Sequence, residues 1–407
     1  RRFTMELSFS ADEIAFRDEI RAFIRDNLPR DVQQRMIEGR EIGKQDIVNW
    51  QAKLNAKGWA TPHWPKAWGG QDWSPVQEFI LIDELQSAPA PQPLAFNVSM
   101  VGPVIATFGN DEQKKKFLPG TASLDIWWCQ GFSEPGAGSD LAGLKTTARR
   151  EGDHYIINGQ KTWTTLAQYA DWIFVLARTD TQAAKKQQGI SFILVDMKTP
   201  GITVRPIQLI DGGHEVNEVW FDEVKVPLEN LVGEENKGWD YAKFLLGNER
   251  TSIARVGVSK QRLRRVRELA AKERAGAGSL MDAPWFREKI ANVEIDLKAL
   301  EITQLRVLAE ARKSGKHGAP DPKSSVLKIK GSEIQQATTE LLMDVVGPLA
   351  MPYQRSTDAE DEGNNTPIGP DDAAYAAPTY FNWRKISIYG GSNEIQRNII
   401  AKAILGF

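Results

Sequence analysis

The texture of this chain changes twice, and that change restricts the fold more than any single motif does. Apolar residues recur at helical spacing up to about Phe117. Short β-branched and aromatic runs take over after Ser123, and helical spacing returns from about Gly238. Blocks of helix, then strand, then helix predict an α+β chain with its sheet in one separate unit, whereas a dinucleotide-binding fold would alternate strand and helix throughout. At 407 residues the chain exceeds a typical single core. The expected division is an N-terminal helical domain over 5–122, a middle β domain over 123–237 and a C-terminal helical domain over 238–407.

Within the first block Ser10 can cap a helix with Glu13 three residues later, ahead of Ile14, Phe16, Ile20, Phe23 and Ile24. Gly58 to Ser74, rich in Trp, Pro and Gly, interrupts the pattern, which resumes from Pro75. Strands are expected at Tyr155-Ile156-Ile157, Trp172 to Leu176, Ile190 to Val195 and Val219-Trp220-Phe221. Asn158-Gly159 reads as a hairpin turn, because both residues tolerate positive φ. In the last block Ile290, Val293, Leu297, Leu300, Val307 and Ala311 fall on one helical stripe. Tyr353 to Pro378 is acidic and rich in Pro, Gly and Asn, and reads as a surface loop or an adaptor for a partner.

Several function classes fall away. Lys and Arg total 51 against 53 Asp and Glu, with no long basic stripe, so nucleic acid is not an expected partner. No apolar run approaches the roughly 20 residues that span a bilayer, and no apolar segment follows the first arginines, so a soluble, non-secreted protein is expected. The single cysteine, Cys129, cannot form an internal disulfide, which fits a reducing, cytoplasmic location. Arg1 to Thr4 precede Met5 and read as an extension ahead of the natural start. His63, His154, His214 and His317 show no metal spacing, and there is no serine-hydrolase elbow or phosphate-binding P-loop. Lys114 to Lys116 and the Arg262, Arg264, Arg265, Arg267 cluster read as solvated helix faces.

The runs Gly131-Phe132-Ser133-Glu134-Pro135-Gly136-Ala137-Gly138-Ser139-Asp140 and Gly159-Gln160-Lys161-Thr162-Trp163-Thr164-Thr165 carry chemistry in a definite order. Together they resemble the flavin-facing strands of the acyl-CoA dehydrogenase family, and the resemblance covers essentially the full length. It implies an N-terminal helical domain, a middle β-barrel-like domain, a C-terminal four-helix bundle and bound FAD. Carried over by motif position, Gln130, Phe132 and Ser133 contact the flavin ring or its ribityl chain, Trp163 packs on the ring, Thr165 bonds near its reactive edge, and Ser139 faces the CoA portion. A flavin needs such an apolar wall with a few placed donors. Read without the resemblance, Trp163 is equally a core tryptophan and Ser133 to Asp140 a tight Gly/Pro turn.

Many members of the family carry their catalytic glutamate where this chain has Gly390, in Tyr389-Gly390-Gly391-Ser392-Asn393-Glu394-Ile395-Gln396-Arg397. In other branches the base precedes an arginine, a position matched here by Glu249-Arg250. From the residues alone, Glu249 shares a helical face with Ile253, Val256 and Leu263, and burial would raise its pKa towards that of a general base. A buried Glu249-Arg250 pair without a catalytic task fits the same pattern. By resemblance Glu249 takes the α proton, flavin N5 takes the hydride from the β carbon, Arg250 limits the base or grips substrate, and the Gly390 amide binds the thioester carbonyl. Ser392 reads as a helix N-cap, and the first turn with Asn393 and Glu394 resembles the family's flavin-adenosine contact. Glu394 as a partner of the helix dipole is an equal alternative.

Two departures concern assembly. Family homo-oligomers complete a neighbour's flavin site with an aromatic-Arg-Phe-Gly segment and a Gln-x-x-Gly-Gly-x-Gly segment. Here these regions read Lys272-Glu273-Arg274-Ala275-Gly276 and Met343-Asp344-Val345-Val346-Gly347-Pro348-Leu349. The combination is similar to the large subunit of the pimeloyl-CoA dehydrogenase branch. That implies an α2β2 heterotetramer with a smaller dehydrogenase-like subunit, a medium-chain dicarboxylyl-CoA substrate converted to its trans-2-enoyl form as in β-oxidation, and an electron-transferring flavoprotein as acceptor. Two further readings remain: a non-catalytic scaffold subunit, and an oxidase that passes electrons to oxygen.

Overall fold

The computed structural model describes residues 9–248, 254–314, 322–353, 368–370 and 372–407. The first helix, α1 (Ala11–Asn27), begins as expected: the Ser10 side chain accepts from the Glu13 amide, and the Glu13 carboxylate returns the bond. Behind it come α2 (Arg30–Glu38), α3 (Lys44–Ala56), α4 (Pro75–Ser87), a π-helical turn at Phe96–Val101, α5 (Gly102–Phe108) and α6 (Asp111–Ser123). Ile20, Ile24, Trp50, Leu54, Ile80, Leu81 and Leu85 form the N-terminal core. The Gly58 to Ser74 interruption is irregular but packed, since Trp59 and Trp73 both meet the Phe16 ring edge-on.

The middle unit is a seven-stranded mixed sheet curved into a half-barrel: β1 (Trp128–Gly131), β2 (Thr147–Glu151), β3 (His154–Thr165), β4 (Trp172–Arg178), β5 (Ile190–Asp196), β6 (Ile202–Ile207) and β7 (Val216–Pro227). The strand order is β1-β4-β2-β3-β7-β6, with β5 antiparallel to β4 along its length. The continuous apolar runs of β4 and β5 follow from burial on both faces. Ile173, Val175, Ile193 and Val195 point into one core, and Phe174, Leu176, Phe192 and Leu194 into another shared with α5, α6 and the following helix. Asn97 joins the first two units: its amide donates to the Thr121 and Ile126 carbonyls and accepts from the Trp128 amide.

Asn158-Gly159 is not the hairpin turn that its composition predicts. Strand β3 runs straight through it, and the turn lies at Gly152-Asp153, where Gly152 has φ 59°. Gly159 instead marks a bulge opposite β7; it adopts φ 150°, and a Cβ there would lie 2.5 Å from Thr146 Oγ1 and 2.7 Å from Thr146 Cα. Asn158 spends its amide on Glu223 of the facing strand. Local turn chemistry and bulge chemistry use the same residue types, and long-range pairing decided between them.

The C-terminal unit holds α7 (Gly238–Asn248), α8 (Val256–Lys272), a two-residue hairpin β8 (Arg274–Ala275) and β9 (Gly278–Ser279), α9 (Pro284–Ser314), α10 (Lys323–Val346), α11 (Ala373–Asn382) and α12 (Asn393–Ile400). Helix α10 is central and touches α8, α9, α11 and α12. Ile290, Leu297 and Leu300 of the expected α9 stripe are buried against Val266, Leu327 and Leu341. The end of the Tyr353 to Pro378 segment is helix rather than loop, with Ala373 and Ala376 fully packed and Pro378 inside α11. Among the described residues, no helix is long and apolar enough to cross a membrane.

Candidate functional site

Strand β1 and the tight turn after it bring the first motif to one end of the half-barrel. Glu134 and Ala137 exchange backbone bonds of 3.0 Å around Pro135-Gly136. The turn is anchored from beneath by an ion pair that the sequence reading did not single out. Lys161 is fully buried, and its Nζ donates to Glu134 at 2.8 Å, the Leu176 carbonyl at 2.8 Å and the Phe132 carbonyl at 3.2 Å. The Glu134 carboxylate also accepts from the amides of Lys145 at 2.6 Å and Thr146 at 2.9 Å. Burial drives the ammonium down to about 8 against the pull of Glu134. Burial acts upward on Glu134, but the Lys161 charge and these hydrogen bonds outweigh it and hold the carboxyl below its ordinary range. The detectable signal was the single lysine of β3, a residue type that is buried only with a partner.

Beside this clamp, β3 departs from regular pairing between Lys161 and Thr164. Trp163 there has φ 58°, a left-handed conformation that costs a bulky residue about 1–2 kcal/mol. The strain turns its indole outward to 59 % exposure, so Trp163 is not a core tryptophan. Thr164 is buried, its hydroxyl unpartnered among the described residues, while Thr165 is half-buried at the strand end. Gln130 and Ser133 are half-buried at the same end, and the Ser133 carbonyl accepts from the Thr162 amide at 2.9 Å. The Phe132 ring is 5 % exposed and packs edge-on against Phe174 and Phe192, which leaves its backbone rather than its ring at the surface of the site. Ser139 is exposed on the loop that follows.

The second half of the site comes from the far end of the chain. Gly390 and Gly391 adopt φ 67° and 79°, and the Gln396 amide donates to both carbonyls, at 3.3 and 3.2 Å. Ser392 caps α12 through the Ile395 amide, and Glu394 is exposed. The Glu394 carboxyl lies below its usual range through its own backbone amide and Ser392. Asn393 is buried, its side chain engaged by Lys328 at 2.9 Å and by Ser332, so it locks α12 onto α10. The two halves are physically joined. The Leu166 amide donates to the Glu215 carbonyl at 2.8 Å, and the Glu215 carboxylate pairs with Lys385, five residues before Gly390. Glu215 therefore ties the end of β3 to the segment that leads into Gly390. Glu249 and Arg250 lie outside the described residues; Val256 and Leu263, expected on the same face, are buried.

The arginine cluster is not uniformly a solvated face. Arg264 and Arg267 are exposed and Arg265 pairs with Asp372, but Arg262 is partly buried with its guanidinium 4.4 Å from the Trp383 ring centre.

The N-terminal, middle and C-terminal domain models of acyl-CoA dehydrogenases match residues 10–125, 129–224 and 236–405. Acyl-CoA dehydrogenase FadE26 of Mycobacterium tuberculosis is 34% identical over 99% of this chain and 98% of its own length. Acyl-CoA dehydrogenase IpdE1 of the same organism is 34% identical over 96% of this chain and 97% of its own length. Among solved structures, the Tcur3481-Tcur3483 steroid ACAD superposes with a TM-score of 0.83 at 30% identity, covering 99% of each chain. The ChsE4-ChsE5 complex from Mycobacterium tuberculosis superposes at 0.82 with 32% identity, again over 99% of each chain.

Proposed function

This chain belongs to the acyl-CoA dehydrogenase family, whose members are oxidoreductases acting on CH–CH bonds, and from that premise we propose that it binds FAD and desaturates a carboxylate-bearing, pimeloyl-like acyl-CoA at its α,β bond. The observation that carries the cofactor reading is Trp163: a flat, exposed indole held in a strained backbone beside the turn that Lys161 and Glu134 fix. An exposed strained aromatic beside half-buried Gln130, Ser133 and Thr165 fits a planar apolar ring with polar edges. FAD, when bound, supplies the acceptor for two electrons and a proton equivalent.

The chain's own residues then divide the remaining work. Gln130, the Phe132 backbone, Ser133, Trp163 and Thr165 hold and orient the ring, and Ser392, Asn393 and Glu394 contribute the turn that meets its adenosine end. Ser139 meets the CoA portion. Glu249 removes the α proton, Arg250 restrains that carboxylate or the substrate, and the Gly390 amide donates to the thioester oxygen as negative charge develops there. Positive φ at Gly390 and the Gln396 bonds to the adjacent carbonyls support that last role, because they fix the peptide before catalysis begins. Electrons leave to an electron-transferring flavoprotein in the cytoplasm.

Similarity to a steroid enzyme at a TM-score of 0.83 favours a second substrate class, a CoA thioester attached to a polycyclic skeleton. Anaerobic mixing of the purified protein with pimeloyl-CoA, and separately with a steroid side-chain CoA thioester, discriminates them. Bleaching of the flavin absorbance with formation of the enoyl product identifies the substrate. A flavin that stays oxidised with both rejects both classes, and protein that retains no flavin alone or with a co-expressed partner rejects the cofactor reading. Glu249→Gln is expected to retain flavin and lose about 100-fold or more in the reductive rate. Wild-type turnover in that variant would remove Glu249 from the mechanism.

A further inference from the structure

The start of α8 carries an arrangement that local stability does not explain. Ser259 and Arg262, three residues apart, share one face of α8, and Arg255 precedes Ser259 by four at the start of the helix. Arg255 occupies the N-cap with φ 47° and no side-chain capping bond. A cation there opposes the helix dipole, and a bulky residue in that conformation is strained. Ser259 is fully buried, and among the described residues its hydroxyl has no hydrogen-bond partner. Both guanidinium groups lie over the same indole, Arg262 at 4.4 Å and Arg255 at 5.5 Å from the centre of the Trp383 ring. Like charges converge on one ring.

The surroundings do not neutralise them. Arg262 donates to the Gln335 carbonyl at 3.3 Å and to Thr338 Oγ1 at 3.1 Å, both neutral groups on α10. The third arginine nearby, Arg384, has its own carboxylate, Glu340 at 2.9 Å. Among the described residues, no carboxylate lies within ion-pair distance of Arg255 or Arg262. Burial first, then the charges of Arg255 and Arg384, press Arg262 down to about 9, with only Tyr389 acting in its favour. A guanidinium does not relieve that pressure by losing its proton, so an anion is the complement it lacks. Tyr389, whose charge acts on Arg262, immediately precedes Gly390 in the loop assigned to the thioester.

We propose that Arg255, Ser259 and Arg262, roofed by Trp383, receive the terminal carboxylate of the acyl chain. The planar fork of Arg262 suits a carboxylate, the Ser259 hydroxyl is a free donor on the same face, and the indole excludes water from one side. The inference rests on the proposed acyl-CoA reading and deepens it, by naming what selects a dicarboxylyl chain.

The test uses two thioesters of equal length that differ only in the terminal carboxylate, pimeloyl-CoA and heptanoyl-CoA. Their dissociation constants are measured by calorimetry on the protein as purified, with its partner subunit where one co-purifies. Wild type is expected to favour pimeloyl-CoA by roughly 10- to 100-fold, the range of a charge-assisted hydrogen-bond pair. Arg255→Gln and Arg262→Gln should each cut that ratio about 10-fold, and Arg262→Lys should recover part of it. If Arg262→Gln fails to fold, Arg255→Gln gives the same readout. Equal affinity of wild type for both thioesters overturns the proposal, as does an unchanged ratio in the glutamine variants. So does an unchanged ratio accompanied by loss of the partner subunit, which would give the two arginines to a protein carboxylate. Because the affinity ratio and the flavin absorbance are separate readouts, a preference that collapses in the variants while neither thioester bleaches the flavin would sustain this site and reject the proposed reaction.

Discussion

Trp163 shows how one residue can trade stability for placement. Its left-handed backbone costs about 1–2 kcal/mol that glycine would not pay, and its indole gains little by burial at 59 % exposure. Trp163→Gly is therefore expected to leave the melting temperature of the flavin-free protein unchanged or higher while weakening FAD at least 10-fold, measured by flavin fluorescence on titration. Equal FAD affinity would mean the indole does not meet the cofactor. Lys161 presents the opposite case, a buried charge whose loss leaves Glu134 unpaired. Lys161→Met should cost about 3 kcal/mol, because two backbone amides still hold the carboxylate. The pH dependence follows from Glu134. Its pKa is depressed on folding, so its contribution is complete above the ordinary carboxyl value of 4.5 and is lost as pH falls through the lower folded value. Thermal melts of wild type between pH 6 and 3 should decline more steeply than those of Glu134→Gln; parallel curves would show that the pair is not ionised in the fold.

At the scale of elements, the bulge at Gly159 controls how β3 delivers Lys161, Trp163 and Thr165. Gly159→Ala places a Cβ against the Thr146 backbone and forbids φ 150°, so a loss of more than about 2 kcal/mol is expected by chemical denaturation. Wild-type stability would mean that the strand can re-register without its bulge. The same element shows where sequence reading succeeds and fails. The β4 and β5 strands were legible because burial on both faces leaves uninterrupted apolar runs, and the Ser10 cap because its chemistry is confined to four residues. The role of Asn158-Gly159 was not legible, since Glu223 and Thr146, which decide it, lie 65 and 13 positions away along the chain. The motifs singled out the residues proposed to face the flavin, but not the Glu215–Lys385 pair that joins Leu166 to the Gly390 loop. No spacing rule connects positions that only the docking of two units brings together. The Arg255–Arg262 pair was missed for a related reason: Arg262 reads as part of a solvated helix face, and only the packing of α10 and Trp383 reveals that it is covered.

For the whole molecule, the residues left uncovered argue about assembly. Met351, Tyr353, Ile388, Leu405 and Phe407 expose 79, 72, 68, 61 and 88 % of their surface, the first two past the end of α10 and the others in the C-terminal segment. Large apolar side chains gathered on one unit mark a surface that another chain covers. The regions that would complete a sister subunit's flavin site offer Arg274-Ala275 in a two-residue hairpin and Asp344 tied to Lys289 at 2.8 Å, in place of the phenylalanine, glutamine and glycines that the family uses there. A second copy of this chain would then cover the apolar surface yet supply a poor half-site, whereas a different, smaller dehydrogenase-like chain can do both. The expected outcome of co-expression is an α2β2 assembly with two flavins, while the chain expressed alone yields flavin-poor, aggregation-prone material. Size-exclusion chromatography with light scattering and flavin-to-protein ratios measures both. A homotetramer carrying one flavin per chain would show that Arg274 and Asp344 serve the half-site after all, and would move the search for a partner from a second dehydrogenase-like chain to the electron acceptor alone.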